Sequence, residues 1–308
     1  MDIKRRDFLK TSLTGLGGAA ISASGLSAMA KPDEAKKEPK NPFSTDPVGR
    51  VKLFGDVETS RIGMGTGMIG YNHSSQLTRM DRKKGVALIE HCYDSGLRFY
   101  DCADSYGTHE IISTTLRSKP RDSYVLCTKM STPHDGPSGV DVVKRFLSEL
   151  KMDYIDVLQL HCMTRPNWAD DCKRYMEDLE KCKEQGLIRG HGMTSHSLVA
   201  LQSGVVDPWV DVVHIRLNSE NTRMDGSFED NVAAARKAQD AGKGVVCMKL
   251  IGEGTLKELD VRKRSVDKVV RAQVSDVYIV GFENDWEVDE LIENVGATLK
   301  AMEAEQQA

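Results

Sequence analysis

Asp101, Tyr106, Lys129 and His161 are the residues of this sequence whose types and positions could do chemistry together. Asp101, Lys129 and His161 each end a short apolar run, and Tyr106 lies in the loop after the first. A phenol can pass its proton to a carbonyl oxygen while a hydride arrives at the carbon, but its reference pKa of about 10 calls for electrostatic help. The ammonium of Lys129 would favour phenolate and so adjust the acid. Asp101 would hold and partly neutralise that lysine, and His161 would orient the substrate oxygen with a hydrogen bond. Acyl transfer fits poorly, because the set holds no serine or cysteine nucleophile with a paired base. Singly, each residue has an ordinary explanation as turn former, packed aromatic, strand-end charge or core histidine. Together they would meet in one cleft if the runs they end are neighbouring strands.

The elements around them supply that condition. From residue 51 onward, short β-rich runs alternate with amphipathic segments, which argues for a parallel sheet with helices outside. The spacing predicts eight strands, over 61–67, 97–103, 124–130, 154–161, 188–195, 210–218, 244–250 and 277–281. Helical patterns separate them, such as 83–95 with Val86, Leu88, Ile89 and Cys92 near one face. Gly96, Gly186 and Gly242 sit where helices should stop. Residues 51–60, with Gly55-Asp56 in the middle, predict a hairpin closing the bottom of a (β/α)8 barrel. A barrel of this kind places its site at the C-terminal ends of its strands, where Asp101, Lys129 and His161 stand.

Composition bounds the alternatives. At 308 residues the chain has room for one barrel of about 250 residues plus an N-terminal extension. A formal net charge of -4 with mixed signs gives no basic stripe for nucleic acid. The seven cysteines form no C-x-x-C pair, so metal-ligand spacing is missing, and Cys102, Cys127 and Cys247 read as small core hydrophobes. Strand ends offer too few clustered acids for a metal-dependent isomerase.

The first thirty residues read as an address. Lys4-Arg5-Arg6-Asp7-Phe8-Leu9-Lys10 precedes a Gly/Ala/Ser-rich run ending at Ala28-Met29-Ala30, which resembles a twin-arginine export signal with an A-x-A cleavage site. Residues 31–50, with Pro32, Pro42 and Pro47, read as a linker and 51–308 as the barrel domain. The implied partner is the twin-arginine export machinery, and the implied location is the periplasm.

The segment Phe99-Tyr100-Asp101-Cys102-Ala103-Asp104-Ser105-Tyr106-Gly107 resembles the aldo-keto reductase signature. Cys127-Thr128-Lys129 is similar to that family's strand-three lysine, and the run from Asp153 to His161 to its strand-four histidine. The resemblance covers about residues 57 to 300 and fills all four positions of the family's catalytic tetrad. It implies a TIM barrel that moves a hydride between a nicotinamide cofactor and an aldehyde or ketone. It also implies cofactor contacts: Gly65 and Thr66 on the first strand, and Thr194 and Ser195 gripping the carboxamide. His214 stands where the family's usual glutamine does, with Asn218 beyond it. Met248 would replace a stacking aromatic, Lys249 would meet the pyrophosphate, Gly252 and Gly254 would let the backbone approach it, and Asn294 would meet the adenine. The G-x-G-x-x-G match at Gly65 reads as chance, since no helix opens directly after it.

Family habit points to NADPH, whereas Glu283, Asp285 and Glu287 after the last strand would repel a 2′-phosphate and favour NADH. The alternative to a reductase is a nicotinamide-binding module that senses redox state with little turnover.

Overall fold

A computed structural model of the chain describes residues 39–308; the export signal expected over 1–30 and residues 31–38 of the expected linker lie outside them. The chain enters through an antiparallel hairpin, β1 (Arg50–Phe54) and β2 (Val57–Ser60), turned at Gly55-Asp56. Eight parallel strands then close into a barrel in sequence order: β3 (Ile62–Gly65), β4 (Phe99–Asp101), β5 (Val125–Met130), β6 (Ile155–Met163), β7 (Ile188–Ser195), β8 (Val212–Arg216), β9 (Gly244–Met248) and β10 (Val277–Val280), which pairs back onto β3. Each predicted run coincides with one of them, and β6 continues two residues past its predicted end. The ends of several runs lie in loops, because apolar character outlasts the ladder where strands diverge at the barrel rims.

Helices alternate with the strands. A single turn, α1 (Gln76–Arg79), and α2 (Arg82–Asp94) follow β3. Then come α3 (His109–Leu116), α4 (Gly139–Leu150), α5 (Trp168–Glu184), α6 (Leu198–Gly204), α7 (Phe228–Asp240), α8 (Leu259–Ala272) and α9 (Asp285–Gln307). Gly96, Gly186 and Gly242 all have positive φ just past helix ends, as a left-handed helix stop requires.

Side-chain alternation builds two cores. On β5, Val125 and Cys127 point into the barrel with Phe99, Val157, Val212, Val246 and Val277, while Leu126 and Met130 point out to the helices. Continuing the inward parity upward brings Lys129 to the mouth. The lower end is plugged by Val51, Leu53, Phe54 and Val57 of the hairpin. Phe54 lies so close to β7 that a Cβ on Gly190 would come within 2.4 Å of its ring.

The barrel's contacts begin before the expected start at residue 51. Lys40 donates to the carbonyls of Leu53 and Lys243, each at 2.9 Å, and to Asp276 at 2.6 Å; Asn41 donates to the other Asp276 oxygen at 2.8 Å. This end of the presumed linker is therefore part of the barrel base, which proline content could not reveal. Asp276 is buried, and its burial raises its pKa against the pull of Lys40. Lys40→Ala strands that carboxylate and is expected to cost about 3 kcal/mol. Urea unfolding checks this: a midpoint equal to the parent's would show that the Lys40–Asp276 pair is dispensable.

Candidate active site

The tetrad residues come from neighbouring strand ends, as the sequence requires. Asp101 closes β4 and Lys129 nearly closes β5, and the lysine ammonium lies 2.6 and 2.7 Å from the two carboxylate oxygens. It also donates to the Cys102 carbonyl at 2.7 Å, so all three of its protons are placed. Burial alone would raise the Asp101 pKa, but Lys129 and His214 hold it well below the usual carboxylate range. Burial alone would likewise lower Lys129, yet Asp101 and Tyr106 hold it above the ordinary lysine value. The pair is thus fully charged inside the barrel.

Tyr106 sits in a single tight turn, Asp104–Tyr106, after β4. Its ring edge meets His161 with centroids 5.5 Å apart, and its hydroxyl lies 3.4 Å from His161 Nε2. The Lys129 ammonium is 5.0 Å from the ring centroid. The phenol pKa is pushed up to about 12 by burial, with Lys129 pulling it down. The lysine therefore acts in the expected direction, but desolvation outweighs it and the proton stays on the phenol. Burial, aided by Lys129, takes His161 down to about 3, so its imidazole is neutral.

Several residues that sequence reading did not single out aim this tyrosine. Arg145 on α4 grips both oxygens of Asp104, at 3.0 and 2.7 Å, and continues to Glu149 at 2.7 Å. Glu149 meets buried His109 at 2.7 Å, whose other nitrogen lies 2.7 Å from Thr128 Oγ1 on β5. Gly67 and Gly70 lie flat on the ring: a Cβ on either would come within 2.2 or 2.6 Å of it. At His161 the β6–β7 register shifts between Leu160 and Met163, and Cys162 takes φ +64°. This irregularity turns the end of the strand, as bulges beside active sites do. Thr194 Oγ1 secures it by accepting from the Cys162 amide at 2.9 Å.

The other expected contacts divide into two sets. Gly65, Met248, Lys249 and Gly254 line a cleft with Asp101 and Tyr106, and Asn294 lines its continuation toward α9. Ser195 Oγ is buried without a partner. Thr66, His214, Asn218 and Gly252 instead serve the protein. The Thr66 hydroxyl donates to the Asp101 carbonyl at 2.9 Å, and fully buried His214 bonds the Asp101 carboxylate through Nε2 at 3.1 Å. Asn218 donates to the carbonyls of Thr222 and Lys249 and accepts from the amides of Glu220 and Thr222. Gly252 is buried at φ +61° inside the loop after β9. These four are expected cofactor contacts, and each has a structural partner or place within the protein, although His214 Nδ1 is buried without a partner.

The continuation of the cleft also departs from expectation. Glu287 folds back onto the amides of Glu283 and Asn284, at 2.5 and 3.1 Å, capping its own helix. Lys257 and Arg262, which sequence reading overlooked, line the same cavity as Glu283 and Glu287; Arg262 pairs with Glu290 at 2.7 and 2.6 Å. The region is not the purely acidic wall that the order of residues suggested.

Asp101, Cys127 and His214 bring possible metal-ligand atoms within 4.8 Å of one another. The Asp101 carboxylate there already carries the Lys129 ammonium.

Comparison with known proteins agrees with this geometry. The chain is 23% identical to a D-threo-aldose 1-dehydrogenase of Pseudomonas over 65% of this chain and 70% of that one. It is 30% identical to a D-galacturonate reductase of Fragaria ananassa over 48% and 50%. With several curated relatives the match spans about half of their length. The fold is similar to that of an aldo/keto reductase from Klebsiella pneumoniae solved with NADP and acetate, with a TM-score of 0.61 at 19% identity over 79% of this chain and 88% of that one. The sequence model of the Aldo/keto reductase family matches residues 61–306, from the first barrel strand to the last helix and through all four tetrad positions, so the chain belongs to that family.

Proposed function

We propose that this chain reduces an aldehyde or ketone with NADPH, Tyr106 giving the proton to the carbonyl oxygen. One observation carries the reading: Tyr106 Oη and His161 Nε2 lie 3.4 Å apart, with the buried Lys129–Asp101 ion pair beside the tyrosine ring. A bound nicotinamide would supply the hydride. A carbonyl oxygen set between Tyr106 Oη and His161 Nε2 accepts a hydrogen bond from each, with His161 in the tautomer protonated at Nε2. As the hydride adds to carbon, the C=O π pair takes the Tyr106 proton and an alcohol forms. Lys129 stabilises the phenolate until solvent restores its proton.

The cleft fits the cofactor. Ser195 Oγ has a free hydrogen-bonding capacity suited to the carboxamide. Gly65, Gly67, Gly254 and Gly281 leave the cleft wall bare of side chains, and Lys249 stands beside it for the pyrophosphate. Lys257 and Arg262 stand on the cavity wall among Glu283, Glu287 and Glu290, and the similar Klebsiella pneumoniae structure solved with NADP supports NADPH as the cofactor. Two relatives carry the names of sugar-converting enzymes, which supports carbonyl groups of sugar-like compounds as substrates.

The test is a panel of aldehydes and ketones with each reduced nicotinamide, followed by absorbance, in the parent and in Arg262→Gln. The parent is expected to turn over with NADPH, and the variant to bind NADPH about tenfold more weakly with little change for NADH. Tight cofactor binding without turnover on any carbonyl would favour the redox-sensing alternative.

The N-terminal motif supports a second proposal, that the protein is exported to the periplasm and cleaved near Ala30. Cell fractionation with N-terminal sequencing checks it. The expected result is a periplasmic protein beginning near Lys31, lost when Arg5 and Arg6 are both replaced by lysine; an uncleaved cytoplasmic protein contradicts it.

A further inference from the structure

The barrel mouth carries a cation that the tetrad does not use. Along β8, Val212 faces the interior and His214 reaches Asp101, while Val213 and Ile215 face the helices. Period two therefore turns Arg216 inward at the rim. It pairs in register with Met248, which lines the cleft with Tyr106. Its Nη1 donates to Asp225 at 3.0 Å, whereas its buried Nε has no partner. The Nε–Nη2 edge is one that a guanidinium can use to hold a carboxylate through two parallel hydrogen bonds, and Asp225 leaves it free.

The surroundings are net positive. Lys249 and Arg223 share Glu253, at 2.7 and 3.2 Å, so among the described residues Arg216, Arg223 and Lys249 form ion pairs with two carboxylates, Asp225 and Glu253. Nearby His196, 3.4 Å from Cys162 Sγ, is kept neutral by burial and by the charges of Arg216 and Lys249. Lys249, Glu253 and Arg223 all hold left-handed backbone, at φ +65°, +58° and +52°, a conformation that non-glycine residues seldom keep without surrounding constraint. The loops thus hold their charges in place at the rim.

We propose that Arg216 binds an anionic group of the substrate, so that the preferred carbonyl compounds carry a carboxylate a few bonds from the reacting carbon. The inference rests on the reductase reading and assigns the substrate class of that same site. A cofactor phosphate is the other source of such an anion, but Lys249, Lys257 and Arg262 already stand along the cleft for it.

The experiment compares succinic semialdehyde with butanal, two aldehydes that differ by a terminal carboxylate, under saturating NADPH. The variant is Arg216→Gln/Asp225→Asn, which removes both charges so that neither is left alone in the interior. The ratio of kcat/KM values is expected to favour succinic semialdehyde in the parent and to fall by about tenfold to a hundredfold in the variant, chiefly through KM. Equal use of the two aldehydes by the parent overturns the proposal. So does a loss that appears in the NADPH dissociation constant rather than in the ratio, since the anion would then be the cofactor's. Calorimetry with butanoate and NADP-loaded protein gives a readout that needs no turnover. Binding to the parent and not to the variant supports the role of Arg216 even if both aldehydes prove inert, an outcome that would count against the reductase reading alone. Equal butanoate binding to both proteins overturns the proposal.

Discussion

Tyr106→Phe is expected to lower kcat by at least about two orders of magnitude, the usual contribution of a positioned general acid. Only the hydroxyl is lost, so the ring still fills the space against Gly67 and Gly70, and the NADPH dissociation constant should stay within about twofold. The parent's pH profile is part of the same expectation. Burial pushes the phenol up to about 12 and His161 down to about 3, so both keep their working protonation states across neutral pH. The kcat/KM profile should therefore show no limb near about 6.5, where an unperturbed histidine would titrate. Parent-like turnover in the variant would remove Tyr106 from the chemistry, and an acidic limb near neutrality would show that His161 is not held neutral.

Lys129→Met should damage both stability and activity, and a second substitution should separate them. The single change leaves the Asp101 carboxylate buried with His214 as its remaining side-chain partner, at a cost of about 3–5 kcal/mol. Turnover should fall by about a hundredfold, because nothing then stabilises the phenolate. Asp101→Asn/Lys129→Met removes both charges and should recover much of the stability, since no lone ion remains. It should not recover turnover. Urea midpoints and kcat in the two variants check this, and recovery of activity in the double variant would mean that the pair serves folding alone.

Much of this molecule was legible in the residues. Short β-rich runs alternating with amphipathic segments located all eight barrel strands, and strand-end position located Asp101, Lys129 and His161 together. What sequence position does not carry is the direction of a polar group and who has already claimed it. His214 occupies a strand position that suggests a ligand contact, yet its fully buried side chain meets Asp101. Asn218 and Thr66 likewise stand where ligand groups are expected, but Asn218 is engaged by backbone carbonyls and amides, and Thr66 by the Asp101 carbonyl and the Thr108 hydroxyl.

The charges after the last strand were misjudged for a related reason. Glu287 looked like a free repulsive charge because its run is acidic, but Asn284 followed by glutamate three residues later is also a capping box, and the helix consumes it. Arg262, distant in sequence, could not be seen to reach the same cavity. The brace from Asp104 through Arg145 to Glu149 and His109 depends on α3 and α4 packing side by side, and residue spacing gives no sign of it.

The central claim is direct hydride transfer onto a carbonyl carbon at the tetrad. The most direct measurement is a single turnover with NADPH deuterated at the transferable position of the nicotinamide, followed by mass spectrometry of the product. The expected product is an alcohol with one deuterium on its carbinol carbon, formed in light water and suppressed in Tyr106→Phe. An alcohol without deuterium at that carbon, or no alcohol from any carbonyl compound that the parent binds together with the cofactor, would contradict it.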